Sequence, residues 1–380
     1  MSRRLKILFV ANVSRDLYNF RIGLMRTLKR RGFEVVCIAP KDSFSERFIK
    51  EGFRYVSVEY LKREEKGFFK NLLLIWELYK IYKKENPVLV LHYTIKPNIF
   101  GNIASKLSRV RSFSIVTGLG SFFVRKSIFQ ILIRFLYKIS FNFTEKVFFL
   151  NREDRELFIK NGIISPNKAV LINGEGIDTS YFSPDFCSRV SKEEKNPVFL
   201  LTARLLWDKG IKEFVESARK VKEIYPKAEF WLLGPIDEAN PTAIPSKTVK
   251  DWEEKGIIKY LGIVDDVRPL ICQSDVVVLP SYREGVPRSL LEAISMGKPI
   301  ITTDTAGCRE VIEDGRNGFL VKVKDVESLT NAMIRFIELS KEKKREMGMY
   351  SREKAIREFD ERIIIDKYLE IIREVLVIDI

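Results

Sequence analysis

Hydrophobic positions along this chain follow two alternating periods. Short, nearly continuous apolar runs fall at residues 5–11, 35–39, 88–91, 113–116 and 147–150. Runs with no polar alternation suit strands buried on both faces of a parallel sheet. Between them, apolar residues recur every three to four positions and predict amphipathic helices, as at 17–30, 68–84 and 152–160. A polar, charged segment at 186–196 breaks the pattern and reads as a linker. The alternation then begins afresh, with strands expected at 198–202, 230–233, 259–262, 276–279 and 300–302 and helices at 211–224 and 326–339. Strand-helix alternation of this kind predicts an α/β chain of two doubly wound, Rossmann-like domains with an interdomain cleft. The expected division is 1–185 for the first domain, 197–357 for the second, and 358–380 for an amphipathic helix that packs back toward the first.

Composition narrows the picture. At 380 residues and 46% hydrophobic content, two cores of ordinary size are affordable. The four cysteines (Cys37, Cys187, Cys272, Cys308) show no paired spacing, and with a single histidine they make no zinc-ligand set. Reduced thiols in a cytoplasmic protein are therefore expected. The longest stretch free of charge spans only 112–124, against roughly 20 apolar residues for a membrane-spanning helix. The first apolar run is followed by Asn12, Ser14 and Arg15, as in a first strand rather than a secretion signal.

The net charge of +15 is unevenly placed. Residues 1–185 hold 33 Lys+Arg against 17 Asp+Glu, leaving 33 and 34 to the rest, so the two parts carry +16 and −1. No acidic residue lies between Glu85 and Glu145, where eight basic ones do. The first domain is thus expected to face something anionic. Residues 121–143 mix aromatic and aliphatic side chains with Arg125, Lys126, Arg134 and Lys138. That mixture suits a helix lying on a membrane, and equally a helix buried against its own sheet with basic residues at the rim. A basic nucleic-acid binder would share the charge, but no nucleic-acid motif is present.

Two segments carry candidate chemistry. The strand at 198–202 runs into Arg204-Leu-Leu-Trp-Asp-Lys-Gly210 and then a helix. Asp208 is a credible helix cap, which would set Lys209 in the first turn, where a bound anion offsets an otherwise unfavourable cation. Phosphate is the natural anion, with Arg204 adding a second charge. The second segment, Ser281-Tyr-Arg-Glu-Gly-Val-Pro-Arg-Ser-Leu-Leu-Glu292, reads as a loop and helix after a buried strand. Gly285 permits close backbone approach and Pro287 suits a helix start. Glu284 on the loop and Glu292 in the helix can both address a ligand at the helix start, the latter as acceptor for a ribose diol. Two basic residues after a strand and two solvated surface acids are the plain structural alternatives.

With the Arg204–Lys209 pair upstream, the E-x7-E spacing of Glu284 and Glu292 resembles family 4 of the retaining GT-B glycosyltransferases, over nearly the whole chain. The resemblance implies that Arg204 and Lys209 hold a donor diphosphate, Glu284 the transferred sugar and Glu292 the ribose. Loop amides at Gly285 and Val286, beside Pro287, would meet sugar or phosphate. Residues 261–267, including Val264, match the base-binding stretch. Tyr93-Thr-Ile-Lys-Pro-Asn-Ile-Phe-Gly101 and Val116-Thr-Gly-Leu-Gly-Ser-Phe122 look like the bacterial enzymes that add N-acetylgalactosamine to polyprenyl-diphosphate-linked bacillosamine, and like related capsule and O-antigen transferases. This likeness brings Lys96, Thr117, Gly118 and Gly120 in as acceptor-side candidates. Family members often place a histidine in the 117–120 loop; this chain has only His92, which is expected either to reach the cleft or to be a hydrogen-bonded core residue.

The resemblance implies a UDP-sugar donor and a polyprenyl-diphosphate-linked acceptor, and the basic first half with residues 121–143 adds the expectation of a peripheral position on the cytoplasmic face of an anionic membrane. No two aspartates stand two apart, so the D-x-D metal motif is missing and no metal or cofactor is expected. A nucleotide-sugar 2-epimerase shares the architecture and is the rival enzyme; a chain with one histidine is poorly supplied for it.

Overall fold

The structure is a computed structural model that describes residues 4–62, 67–119, 128–190, 196–238 and 240–378. It divides into two compact units, one comprising Met1–Glu175 with Arg362–Ile380 and the other Gly176–Glu361.

In the first unit, strands β1 (Lys6–Val10), β2 (Glu34–Ala39), β3 (Arg54–Ser57), β4 (Leu89–Tyr93), β5 (Ser112–Val116), β6 (Lys146–Phe149) and β7 (Ala169–Leu171) form one sheet. Its order is β3-β2-β1-β4-β5-β6-β7, and every pairing is parallel. The chain builds outward from β1 to β3 and then returns beside β1 with β4, so the winding reverses between β1 and β4. β1, β4 and β5 are buried almost throughout, as strands covered on both faces of a parallel sheet are, and His92, Ser112 and Ser114 are buried with them. Helix Arg152–Lys160 starts where the Asn151 side chain accepts the Asp154 amide at 2.8 Å, with Glu153 and Asp154 in the favourable first turn.

The final helix, Glu361–Leu376, packs into this unit. Tyr368 stacks on Phe148 with ring centroids 4.5 Å apart, Lys146 pairs with Glu374 at 3.0 Å, and Arg111 donates to the Val375 carbonyl.

The second unit repeats the design with β8 (Val198–Thr202), β9 (Glu229–Leu233), β10 (Lys259–Tyr260), β11 (Val276–Leu279), β12 (Ile300–Thr303) and β13 (Gly318–Val321). The order β10-β9-β8-β11-β12-β13 is again wholly parallel. Here the reversal falls between β8 and β11, and the loops leaving their C-terminal ends are the two segments singled out above. Phe199, Phe214, Phe230, Leu232 and Phe336 centre the core.

Two expectations are corrected. The division falls between Glu175 and Gly176, not at Asp185. Arg352 shows why: its guanidinium donates to the carbonyls of Thr179 (2.9 Å), Phe182 (3.0 Å) and Ser295 (2.7 Å), fastening residues 179–182 to the second unit. Nor are all four cysteines thiols. Cys187 and Cys272 form a disulfide with Cα atoms 5.1 Å apart, joining the short turn Pro184–Arg189 to helix Arg268–Gln273, while Cys37 and Cys308 are free and buried. A partner 85 residues away leaves no local spacing to read. Residues 191–195 of the expected linker lie outside the described residues.

Candidate donor-sugar site

The loop after β8 is anchored on both sides. Ala203 and Leu205 donate their amides to the carbonyls of Leu233 and Pro235, and a 3-10 turn, Trp207–Lys209, follows. Helix Ile211–Ile224 begins only after Gly210, which caps it at φ +72°. Asp208 is therefore not the helix cap expected of it, and Lys209 precedes the first turn rather than belonging to it. One carboxylate oxygen of Asp208 is buried without a partner. Any larger residue at Gly210 would be blocked, since a Cβ there would stand 2.0 Å from the Pro280 carbonyl oxygen.

That near-contact brings the loop after β11 against the loop after β8. The Tyr282 amide and the Ser281 hydroxyl both donate to the Asp208 carbonyl, at 2.9 and 3.2 Å. From the far side the end of β12 braces the same loop: Thr302 donates to the Leu279 carbonyl at 2.7 Å, Thr303 to Ser281, and Thr305 to Tyr282 at 3.1 Å. Gly307, at φ +77°, packs so close that a Cβ would lie 2.3 Å from the Gly285 carbonyl oxygen. The loop is thereby held as a rigid shelf, with Gly285, Val286 and Pro287 buried in it.

On this shelf the Lys209 ammonium meets the Glu284 carboxylate at 2.5 Å, their side chains only 19% and 13% exposed. Tyr282 stands behind them, donating to Glu213 at 2.7 Å; burial and that hydrogen bond raise its phenol well above the usual range. Arg204 is more open, with a loose 3.8 Å pairing to Asp237. A cation with so weak a partner can turn to an incoming anion at little cost.

Glu292 lies in the second turn of helix Arg288–Ser295 and accepts a hydrogen bond from Arg288 Nε at 3.2 Å. Burial pushes its carboxyl above the ordinary range, Asp266 pushes the same way, and Arg288 opposes both. Asp266 belongs to the loop after β10, clamped by Arg268 at 2.9 and 2.7 Å. Glu292 and this loop are therefore neighbours, and the loop exposes Ile263 and Val264, apolar surface suited to the face of a base. Asp266 lies in the 261–267 stretch expected to bind the base, whereas Arg288 and Tyr282 carry no expected role; the i,i+4 spacing of Arg288 and Glu292 was the available signal for the first.

The first-unit candidates fare differently. His92 reaches no open surface: it is fully buried, with Nε2 2.9 Å from the Tyr82 hydroxyl and Nδ1 2.8 Å from Asn102 Oδ1. Burial pushes its pKa down to about 4, so the ring is neutral and structural. Lys96 follows β4 and donates to the Lys62 carbonyl at 3.0 Å. Thr117 and Gly118 follow β5, partly exposed, with Gly118 at φ +134°. Gly120 lies outside the described residues.

The glycosyltransferase 4-like model matches residues 6–151 and the model of glycosyl transferases group 1 matches residues 196–338. The chain is 32% identical, over 97% of its length and 98% of the relative's, to N,N'-diacetylbacillosaminyl-diphospho-undecaprenol alpha-1,3-N-acetylgalactosaminyltransferase of Campylobacter jejuni subsp. jejuni. It is 27% identical, over 81% of both chains, to UDP-Gal:alpha-D-GlcNAc-diphosphoundecaprenol alpha-1,3-galactosyltransferase of Escherichia coli. Among solved structures, a glycosyltransferase from Rickettsia africae ESF-5 superposes with a TM-score of 0.80 at 21% identity, covering 98% of this chain and 99% of that one. Anabaena Alr3699/HepE in complex with UDP and glucose gives 0.77 at 19%, covering 97% and 99%. The doubly wound sheets, the paired loops at the second switch point and these matches together show that the chain belongs to the family 4-like, group 1 glycosyltransferases of GT-B fold.

Proposed function

We propose that this enzyme moves an N-acetylhexosamine, such as N-acetylgalactosamine, from a UDP-sugar to a saccharide carried on polyprenyl diphosphate, with retention of anomeric configuration. The observation that carries the reading is the Lys209–Glu284 pair on the shelf beyond β8 and β11, with Glu292 in the second turn of the helix that follows the shelf. Two relatives are named for transfer onto diphospho-undecaprenol-linked sugars, and they differ in the sugar transferred. The lipid diphosphate is thus better supported than the identity of the hexosamine.

In this reading Glu292 accepts the ribose hydroxyls and the exposed face of Val264 covers the base. Arg204 and Lys209 stabilise the charge that grows on the departing diphosphate. Binding draws Lys209 partly from Glu284, whose carboxylate then takes hydrogen bonds from the sugar hydroxyls. The acceptor oxygen attacks the anomeric carbon as its bond to the diphosphate breaks. A donor phosphate oxygen takes the acceptor proton, and UDP leaves with the bonding electrons. With two cations supplying this charge, turnover is expected without a divalent ion. The rim residues Lys96, Thr117 and Gly118 belong to the acceptor side, and the basic first unit holds the enzyme peripherally on the cytoplasmic face of the membrane. No helix of the described residues is long and apolar enough to cross it.

Incubation with UDP-N-acetylgalactosamine and a diphosphoundecaprenol-linked monosaccharide, with and without EDTA, tests the reading. The expected product is a lipid-linked disaccharide formed equally in both arms. No product with any UDP-hexosamine, or product only after magnesium is restored, contradicts it.

A further inference from the structure

Helix Phe68–Glu85 is apolar on two opposite sides. One side packs inward through Leu74, Leu78 and Tyr82 against β1, β2 and β4. The other carries Phe68, Phe69, Leu72, Leu73 and Trp76, which follow one another at one- and three-residue steps down a single stripe. Phe68, Phe69 and Trp76 are 72%, 79% and 55% exposed. Every other exposed residue on the helix is a lysine: Lys70, Lys80, Lys83 and Lys84. Neither carboxylate of the helix joins this face: Glu77 is turned onto the preceding loop, where it accepts the amides of Glu59 and Tyr60 at 2.9 and 3.1 Å, and Glu85 is buried, paired with Lys6 at 3.0 Å and Arg54 at 2.9 Å.

The same composition recurs next door. Both this helix and helix Ile128–Phe141 pack on the turn Pro97–Gly101, so they share one side of the sheet. The exposed described side chains of the second helix are Ile131, Leu132, Phe135 and Lys138. A soluble surface rarely leaves so many large apolar side chains uncovered.

We infer that the outward stripe of helix Phe68–Glu85, flanked by helix Ile128–Phe141, inserts at shallow depth into an anionic lipid bilayer. The charge pattern selects this occupant. Aromatic and aliphatic side chains enter the acyl boundary while lysine stems reach back to lipid phosphates. The Lys80 ammonium already sits 5.1 Å above the Trp76 ring, a pairing suited to the headgroup region. A second copy docking through the same face would bring more lysines and no exposed carboxylate of this helix to pair with them. The inference rests on the membrane-surface reading above and gives it an address, away from residues 121–127 and on a helix not marked out for it by sequence.

The test compares co-sedimentation with phosphatidylglycerol–phosphatidylcholine vesicles for the wild type, a Phe69→Ser/Leu72→Ser/Trp76→Ser variant and a Lys80→Gln/Lys83→Gln/Lys84→Gln variant. Sugar transfer to a short-chain, water-soluble lipid diphosphate is measured in parallel. The wild type should bind, the serine variant should bind at least about tenfold more weakly, and the glutamine variant should lose its preference for the anionic lipid. Transfer in solution should be unchanged throughout, and Trp76 emission should shift to the blue on binding. Serine-variant binding equal to wild type overturns the inference and leaves the peripheral reading standing. A wild type that ignores vesicles overturns both, and a wild-type dimer dispersed by the serine changes identifies the stripe as a protein interface instead. Loss of soluble transfer by the wild type is a failure of the proposed reaction alone.

Discussion

Lys209 and Glu284 lie 75 residues apart in sequence and 2.5 Å apart in space, joined because two consecutive switch-point loops are fastened to each other at Asp208 and Tyr282. Without a substrate each neutralises the other in a largely buried position. Glu284→Gln keeps the shape of the pair and removes the charge-assisted acceptor for the sugar. A hydrogen bond to a charged group is worth about 1.5–3 kcal/mol, so kcat should fall roughly 10- to 100-fold while affinity for UDP alone is kept. Steady-state kinetics beside UDP titration checks this; equal loss of UDP affinity would move Glu284 from the sugar to the nucleotide.

Glu292 carries a pH signature. Its folded pKa is raised by burial above the ordinary value of 4.5, so the folded state favours the protonated form. The stabilising contribution is whole below that value and is lost as pH rises through the folded pKa. Glu292→Gln should therefore melt higher than wild type at neutral pH, and the gap should close as pH drops below about 4.5. The same variant should bind a UDP-sugar about tenfold more weakly, having lost a charged acceptor for the ribose. Calorimetry across pH on the ligand-free proteins, with a donor titration, reads both; a gap that widens on acidification refutes the assignment.

His92 predicts the opposite pH trend. Buried and neutral with a pKa of about 4 against 6.5 in the unfolded chain, it leaves the unfolded state binding the extra proton as pH falls. Stability should thus be full above pH 6.5 and decline by about 3 kcal/mol toward pH 4 through this group. His92→Gln should flatten that segment of the stability curve at some cost in stability, and leave no change in the pH profile of kcat. A lost kinetic inflection near neutrality would restore His92 to the chemistry.

The Cys187–Cys272 bond closes a loop of 85 residues, for which chain entropy gives up to about 4–5 kcal/mol. Cys187→Ser/Cys272→Ser, or reduction, should lower the melting temperature of the second unit by roughly 10 °C. Donor binding measured well below that temperature should hardly change, since the bond ties residues 184–189 to helix Arg268–Gln273 rather than touching Lys209 or Glu284. Mass spectrometry of the alkylated, unreduced protein shows whether the bond is present.

Much of this was legible beforehand because parallel sheets write their central strands as apolar runs. β1, β8 and β11 fall within a residue of their expected limits. β3, β7 and β13 are not among the expected strands: all are edge strands of three or four residues, where β7 and β13 offer only short apolar runs and β3, exposed at both ends, offers none. At the candidate site, Glu292 and Lys209 are picked out by their expected helix positions, and Glu284 and Arg204 more by the resemblance to family 4. What brings the loops together did not show, because Gly210 and Gly307 act through absent side chains and the carbonyls they admit lie far along the chain. The disulfide and the Arg352 anchor that set the unit boundary are likewise long-range. His92 looked available at a strand end because sequence records position, not the Tyr82 and Asn102 that enclose it.

The central claim is that Arg204 and Lys209 hold the diphosphate of a nucleotide-sugar. Isothermal titration of UDP-N-acetylgalactosamine, and of UDP, into the wild type and into Arg204→Ala and Lys209→Ala tests it most directly. Each substitution should weaken both ligands by about 10- to 100-fold, the effect of removing one charge-assisted contact, with the folded structure retained by circular dichroism. Affinities within twofold of wild type in both variants would contradict the account.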